Sequence, residues 1–154
     1  MPKGCKKRLC SVRKSAIHGR GVFAVRKIRK GTRILEYKGK RTSWAEATGR
    51  PDSDPKDPTH TFLFELDDGT VIDAGVGGNT ARWVNHSCEP NCAAYEDEAG
   101  RVFIEAQCKI LPGEELTYDY HLTVGGRLSR RERVDYVCHC SAAKCRGSLL
   151  GKPR

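Results

Sequence analysis

Long apolar runs are missing from this chain of 154 residues. None approaches the roughly 20 apolar residues that a membrane-spanning helix needs. The basic residues 1–8 are followed by no apolar stretch of the kind that a secretory signal contains. We therefore expect no membrane partner and an intracellular location. In a reducing compartment the eight cysteines are expected to be free thiols or metal ligands rather than disulfides.

Acidic residues are scarce at both ends of the chain, whose net charge is +9. Residues 1–41 contain 15 Lys/Arg and one Glu, and residues 121–154 contain eight Lys/Arg and two acidic residues. Residues 42–120 contain five Lys/Arg and 16 acidic residues. The basic ends suit either solvated tails or contact with nucleic acid or another acidic partner. The acidic middle of the chain is suited to binding a peptide rich in Lys and Arg.

The length and a hydrophobic content of 38% predict one globular domain with a modest core. Residues 33–39 alternate like a strand. Two hairpins are predicted, one over residues 60–74 with a turn at 67–70 and one over residues 92–106 with a turn at 98–100.

The most unusual stretch is residues 82–91, with the sequence RWVNHSCEPN. A cation, an amide, an imidazole, a hydroxyl and a thiol fall within ten residues, and each needs a partner if it is buried. Pro90 is expected to end a short helix begun near Asn79. The stretch therefore predicts a helical turn that breaks into a loop, where site residues tend to lie.

Three other segments carry reactive side chains. The glycines of residues 15–24 either only make turns or let backbone N–H groups approach a ligand carboxylate. The two tyrosines of residues 116–120 (LTYDY) point to one face of a strand, which suits either cross-strand packing or a site. Cys138, Cys140 and Cys145 cluster near the C-terminus, one ligand short of a tetrahedral zinc site.

These segments resemble the motifs of the SET-domain lysine methyltransferases, in that family's order. They match its xGxG, E-Y-x-G, NHSCxPN and G-E-E-L-T-Y-D-Y motifs and the C-x-C-x4-C-R-G motif of the post-SET zinc segment. With no cysteine-rich pre-SET module and no added reader domain in the sequence, the architecture resembles the small stand-alone SET proteins of bacteria or viruses. The resemblance implies a mainly β fold of several small sheets, β-clip-like, with a pseudoknot at the active site. It divides the chain into a basic N-terminal arm (1–14), a SET domain (15–121) and a basic linker with a zinc-binding tail (122–154).

The resemblance also implies the ligands, which are S-adenosylmethionine (SAM), the methyl donor, and Zn²⁺. Many relatives have a SAM-contacting Tyr where Phe62 stands, and this difference removes one hydrogen bond to SAM. The residues that the resemblance assigns to SAM are His18, Gly19, Arg20, Gly21, Phe62, Arg82, Asn85 and His86; those assigned to catalysis are Tyr37, Tyr118 and Tyr120; those assigned to zinc are Cys88, Cys138, Cys140 and Cys145.

The implied function is methyl transfer from SAM to the ε-amine of a lysine in a histone or another basic protein tail. Tyr118 occupies the family's Phe/Tyr switch position, which implies mainly monomethylation. The alternative is a catalytically weak SET fold, or a zinc protein, that serves as a chromatin or nucleic-acid binding module. Nucleic-acid or nucleosome contact is expected through the basic termini. If the protein is eukaryotic or viral, the expected location is the nucleus. If it is bacterial, the expected location is the cytoplasm, or a host nucleus after delivery there.

Overall fold

The computed structural model describes residues 8–17, 19–43, 45–46, 63–120, 138, 140 and 142–148. Ten short strands in these residues form three small sheets, which confirms the mainly β fold. No helix among the described residues is long and apolar enough to cross a membrane. The strands are β1 (Cys10–Lys14), β2 (Arg20–Ala24), β3 (Arg33–Tyr37), β4 (Lys40–Thr42), β5 (Leu63–Glu65), β6 (Val71–Asp73), β7 (Asn85–His86), β8 (Cys92–Glu96), β9 (Val102–Ala106) and β10 (Glu115–Tyr118), and a 3-10 helix spans Thr80–Trp83.

The first sheet has the strand order β1-β2-β10-β7. β2 buries its alternate residues Val22 and Ala24, and β1 pairs with it antiparallel along five residue pairs. The expectation of an arm over residues 1–14 is therefore wrong for Cys10–Lys14. The backbone of this segment bonds to β2, and Cys10 is buried in the core.

The second sheet, β3-β9-β8, and the third, β4-β6-β5, each contain one of the predicted hairpins. β9 buries Val102, Ile104 and Ala106 and pairs with β8 along five residue pairs. β5 and β6 pair across a turn in which Gly69 adopts a φ of 84°, a conformation that favours glycine. Both hairpins are confirmed over the residues that the structure describes.

The polar stretch begins with the 3-10 helix, which starts just after Asn79 as expected. It ends at Trp83, because Val84 is extended (φ −66°, ψ 120°) and the next two residues form β7. The expectation that Pro90 ends the helix is therefore wrong. Residues 85–86 pair in parallel with β10, which supplies backbone partners that a longer helix would have provided instead.

Two apolar clusters hold this stretch in place. One cluster joins the first and second sheets and contains Val84 together with Val22, Ile104 and Leu116. The other joins the second and third sheets and contains Ala81. The 3-10 helix and β7 are thus fixed from both sides, which positions the polar residues that follow.

Candidate active site

β10 lies inside the first sheet, antiparallel to β2 on one side and parallel to β7 on the other. The parallel pairing places Asn85 beside Thr117 and His86 beside Tyr118. All four residues are buried, although their side chains carry polar groups. Buried polar groups need hydrogen-bond partners, and these partners define the site.

Asn91 acts as a substitute for a strand neighbour of β10. Its side-chain amide donates to the carbonyl of Glu115 (2.8 Å), and its Oδ1 accepts the backbone N–H of Thr117 (2.9 Å). A neighbouring strand would satisfy these two backbone groups in the same way. The end of the NHSCEPN stretch is thereby tied to the strand that carries Tyr118.

The carboxylate of Glu115 organises the glycine-rich turn. It accepts hydrogen bonds from Ser15 Oγ (2.7 and 3.0 Å) and from the side-chain amide of Asn85 (2.9 Å). The same Asn85 amide donates to the carbonyl of Arg20 (2.9 Å). Gly21 passes so close that a Cβ there would overlap the carboxylate. A larger residue in place of this second glycine of the xGxG motif would displace the Glu115 carboxylate from its hydrogen bonds.

Two arginines flank Trp83 at the edge of this turn. The guanidinium carbons of Arg82 and Arg20 lie 4.7 and 5.6 Å from its ring centroids, within the range of cation–π attraction. Two positive charges beside this turn suit an anionic ligand such as a carboxylate.

Four aromatic rings contributed by all three sheets meet on the other side of β10. The ring centroids of Tyr37 and Phe64 are 5.4 Å apart, those of Phe64 and Tyr118 are 6.5 Å apart, and those of Tyr118 and Tyr120 are 4.9 Å apart. Tyr118 is the last residue of β10 and Tyr120 lies beyond it, but their rings are in contact as predicted for one face of a strand. We call these four residues the ring cluster.

Burial raises the pKa of Tyr37, Tyr118 and Tyr120, and nearby tyrosine hydroxyls raise it further for Tyr37 and Tyr120. All three hydroxyls are therefore uncharged at physiological pH. The hydroxyl of Tyr120 donates to the carbonyl of Val84 (2.5 Å). The hydroxyl of Tyr118 has no hydrogen-bond partner among the described residues.

His86 connects the ring cluster to the cysteines. Its Nδ1 accepts the backbone N–H of Tyr120 (3.0 Å), and its Nε2 lies 3.4 Å from Cys88 Sγ. A ring nitrogen that accepts a hydrogen bond carries no proton, so these partners assign the proton to Nε2. Asp119 Oδ1 lies 3.6 Å from Nδ1, beyond ordinary hydrogen-bond distance.

Cys88 meets three cysteines of the C-terminal segment. The four Sγ atoms lie within 4.8 Å of one another, and Cys88 Sγ is 3.8 Å from that of Cys138 and 3.9 Å from that of Cys145. A tetrahedral zinc ion with Zn–S bonds of about 2.3 Å separates its sulfurs by about 3.8 Å. The spacing and the all-sulfur donor set therefore fit a closed structural zinc site, completed by Cys140.

The thiols of this cluster differ in acidity. Desolvation raises the pKa of Cys88 and Cys138. Desolvation acts in the same direction on Cys140, but hydrogen bonds from the backbone N–H groups of Cys88 and Ala142 and from neighbouring thiols outweigh it and lower the pKa to about 6. At least one sulfur is thus ready to bind a cation at neutral pH, since thiolates are the metal-binding form.

Arg146 attaches the cysteine segment to the end of β10. Its guanidinium donates twice to the carboxylate of Asp119 (2.5 and 3.1 Å), and its backbone N–H donates to Cys88 Sγ (3.3 Å). The side-chain hydrogen bond to Asp119 raises the pKa of Arg146. A bidentate, partly buried pair of this kind fixes the relative orientation of the two groups more strictly than an exposed ion pair does.

The structure describes all but two of the predicted site residues, since His18 and Phe62 lie outside the described residues. Four residues without a predicted role also belong to the site, namely Asn91, Glu115, Asp119 and Arg146. Each lies inside a matched motif, and that membership was the available signal. The structure places Gly19, Arg20, Gly21, Arg82, Asn85 and His86 around the glycine turn and β7, Tyr37, Tyr118 and Tyr120 in the ring cluster, and Cys88, Cys138, Cys140 and Cys145 in the sulfur cluster.

Comparison with known proteins identifies the family. Residues 19–121 match the model of the SET domain, and this chain belongs to the SET-domain family. Histone-lysine N-methyltransferase 2B of Homo sapiens is 35% identical over 159 residues, which cover 96% of this chain and 5% of that protein. The H3 lysine-4 specific histone-lysine N-methyltransferase of Chaetomium globosum is 39% identical over 140 residues, which cover 88% of this chain and 13% of that protein.

A solved structure is similar as well. The SUVH6 protein of Arabidopsis thaliana, in complex with SAM, matches with a TM-score of 0.73 and 30% identity, over 92% of this chain and 33% of that one. The predicted SET fold is thereby confirmed. The chain spans 5 to 13% of the length of the two curated relatives described above.

Proposed function

We propose that this chain transfers a methyl group from SAM to the ε-amine of a lysine in a histone or another basic protein. The observation that carries the proposal is the meeting of three uncharged tyrosines beside β7 in a chain of the SET-domain family. The relatives named above are histone-lysine methyltransferases, and the similar plant structure is a complex with SAM.

SAM, when bound, supplies a methyl group on a positively charged sulfur. Its carboxylate suits the region beside the glycine turn, because the positive charges of Arg20 and Arg82 converge there. The side-chain amide of Asn85 donates to the carbonyl of Arg20 and to the carboxylate of Glu115, so it holds the glycine turn against β7. The proposed SAM-binding residues are His18, Gly19, Arg20, Gly21, Phe62, Arg82, Asn85 and His86.

Tyr120 is the proposed catalytic residue. Its hydroxyl hydrogen is directed at the Val84 carbonyl, so its oxygen lone pairs remain for a positively charged centre. A fixed oxygen that needs no reorientation stabilises the moving charge of a methyl transfer. Tyr37 and Tyr118 surround the amine with aromatic faces, and this confinement favours an in-line approach to the methyl group.

The lysine must arrive without its proton in order to attack. A free Lys has a pKa near 10.4, and both a dry aromatic site and a neighbouring positive sulfur disfavour its charged form. The three tyrosines are uncharged, so none of them serves as the base. We infer that the proton leaves to water before the reacting groups meet.

The zinc site is proposed to be structural. Four cysteines fill all four positions of a tetrahedral ion, which leaves no position for a substrate. Zinc at this cluster would hold residues 138–148 against β7 and the end of β10 through Cys88, and so complete the site.

The test is incubation of the chain with isotopically labelled SAM and a panel of purified core histones, followed by mass spectrometry. The expected result is label on a lysine of a basic tail. Label on another residue type would contradict the proposal. SAM binding in a titration without transfer to any protein would instead favour the catalytically weak SET fold that acts as a binding module.

We further propose that the enzyme adds mainly one methyl group. The hydroxyl of Tyr118 lies in the ring cluster without a hydrogen-bond partner among the residues that the structure describes, so it is available to hold a water in the space that a methylamine needs. Displacing a well-bonded water with an apolar methyl group is unfavourable. Tyr118→Phe is expected to shift products toward di- and trimethyl-lysine while the first transfer continues. Long incubations analysed by mass spectrometry decide, because abundant trimethyl-lysine from the unmutated chain, or an unchanged product ratio in the variant, would refute this role.

The proposed place of action is chromatin, in the nucleus, since the named relatives act on histones. Nucleosome or nucleic-acid contact through the basic termini is part of this proposal. It predicts that affinity for nucleosomes falls steeply with salt. The proposed division of the chain remains a SET domain over residues 15–121, preceded by β1, with a basic linker and zinc-binding tail over residues 122–154.

A further inference from the structure

A cleft of about 550 Å³ opens between the start of β1 and the start of β3. None of the ring-cluster tyrosines or clustered cysteines lines it. Three of its lining residues, Leu9, Ile34 and Leu35, are apolar and pack against the core, and we call them its floor. Arg8, Arg26 and Arg33 also line it. We call it the arginine cleft.

The charged residues that line the arginine cleft are all arginines, and Glu105 borders it through its contact with Arg33. Residues 8–33 contain nine Lys/Arg and no Asp or Glu. Arg8 and Arg26 are exposed and form no ion pair with any residue that the structure describes. The backbone N–H of Val25 donates to the carbonyl of Leu9 (2.9 Å), which holds the chain segments that carry these two arginines together. Such a surface attracts an anionic partner.

Arg33 is held in a fixed orientation. Its guanidinium lies 4.5 Å from the ring centroid of Phe103 and 5.6 Å from that of Tyr95, and its Nε donates to Glu105 (3.4 Å). These contacts use one N–H group and leave the two Nη groups for a ligand. A planar guanidinium whose orientation is already set loses less entropy when it binds a carboxylate in bidentate fashion.

We propose that the arginine cleft docks a partner protein through an acidic segment that carries an apolar anchor residue. Carboxylates would bind the three arginines, and one leucine, isoleucine or phenylalanine side chain would cover the floor. A concave apolar floor argues against duplex DNA, whose convex and polar backbone would leave Leu9, Ile34 and Leu35 uncovered. Arginine and apolar anchors seated in pockets are typical of protein interfaces.

The test is a selection of displayed random dodecapeptides on the full chain, with excess SAM and a histone-tail peptide present to occupy the catalytic site. We expect enrichment of sequences in which Asp or Glu flanks Leu, Ile or Phe. Synthetic versions of the enriched peptides are then titrated against Arg8→Glu/Arg26→Glu and against the control Lys27→Glu/Arg29→Glu. The control makes the same change in charge at exposed positions that do not line the cleft.

Reversal of the two cleft charges is expected to weaken peptide binding about tenfold or more, with little change in the control. Replacing the apolar anchor of the peptide with serine should also weaken binding. Enrichment of no peptide, or equal affinity for both double variants, would overturn the proposal. A duplex oligonucleotide that binds in place of any peptide, and whose binding needs Arg8 and Arg26, would assign the surface to DNA and overturn it as well. Methyl transfer to a short peptide should be unchanged in both variants, so this test is independent of the catalytic proposal.

Discussion

The two halves of the site are held together by different forces. The half formed by β7 and β10 rests on backbone pairing, two apolar clusters and buried polar side chains with partners inside the protein. The half formed by residues 138–148 contains no strand in its described part and is attached through sulfur atoms and the Arg146–Asp119 pair. The two halves therefore have different roles. The first contains the tyrosines proposed to perform the reaction, and the second closes the site.

Removal of zinc is expected to have the largest effect, and it acts on the second half of the site. Cys140→Ser, or a strong chelator, should release the cysteine segment and abolish both SAM binding and methyl transfer, because structural zinc contributes folding energy of about 10 kcal/mol or more in small zinc sites. The first half should keep its strands, as measured by circular dichroism. Cys108→Ser is the matched control, since Cys108 is an exposed thiol outside the cluster. Fully active protein without stoichiometric zinc would contradict the assignment.

Asn91→Ala is the substitution expected to destabilise the first half. It leaves a backbone carbonyl and a backbone N–H of β10 without partners, which should lower the free energy of unfolding by about 2–5 kcal/mol. Urea denaturation measures the loss. Asn79→Ala is the matched control, because Asn79 also bridges two backbone groups, those of Glu36 and Lys38 at the end of β3. Its bond from Lys38 is long (3.4 Å) and exposed, so a cost of about 1 kcal/mol is expected. Equal losses in the two variants would show that Asn91 has no special part in holding β10.

Arg146→Lys tests the junction between the halves. Lysine keeps the charge but cannot make the bidentate contact with Asp119, so zinc affinity and SAM affinity should each fall about tenfold while the strands remain intact. Chelator competition and a SAM titration provide the two measurements. Arg101→Lys, in an exposed pair with Glu36, should change neither quantity. If Arg146→Lys behaves like this control, the cysteine segment is held by its sulfurs alone.

The same contrast explains what sequence reasoning could predict. The hairpins followed from local alternation, and β9 buries every second residue as that pattern requires. The end of the 3-10 helix could not be predicted locally, because the partner strand of residues 85–86 lies about 30 residues further along the chain. The sequence did not predict β1, because its basic residues suggested a solvated arm. Only the first residue of β1 is buried, so the strand shows no apolar alternation.

The sulfur site shows a similar limit. Local spacing identified three cysteines, but the fourth, Cys88, lies 50 residues before Cys138 and came from the family resemblance. The roles of Glu115 and Asn91 depend on contacts that only the folded chain displays. Motif membership marked them, although it did not say that Glu115 would hold the glycine turn or that Asn91 would stand in for a strand.

The single-turnover rate of methyl transfer in Tyr120→Phe tests the central claim, that the strand-held half performs the chemistry, most directly. The change removes one oxygen that bonds to Val84 and little volume, so zinc content and SAM affinity should stay close to those of the unmutated chain. The rate should fall by roughly two to three orders of magnitude, and Tyr95→Phe, at an exposed position, should leave it unchanged. A rate in Tyr120→Phe close to that of the unmutated chain would contradict the account.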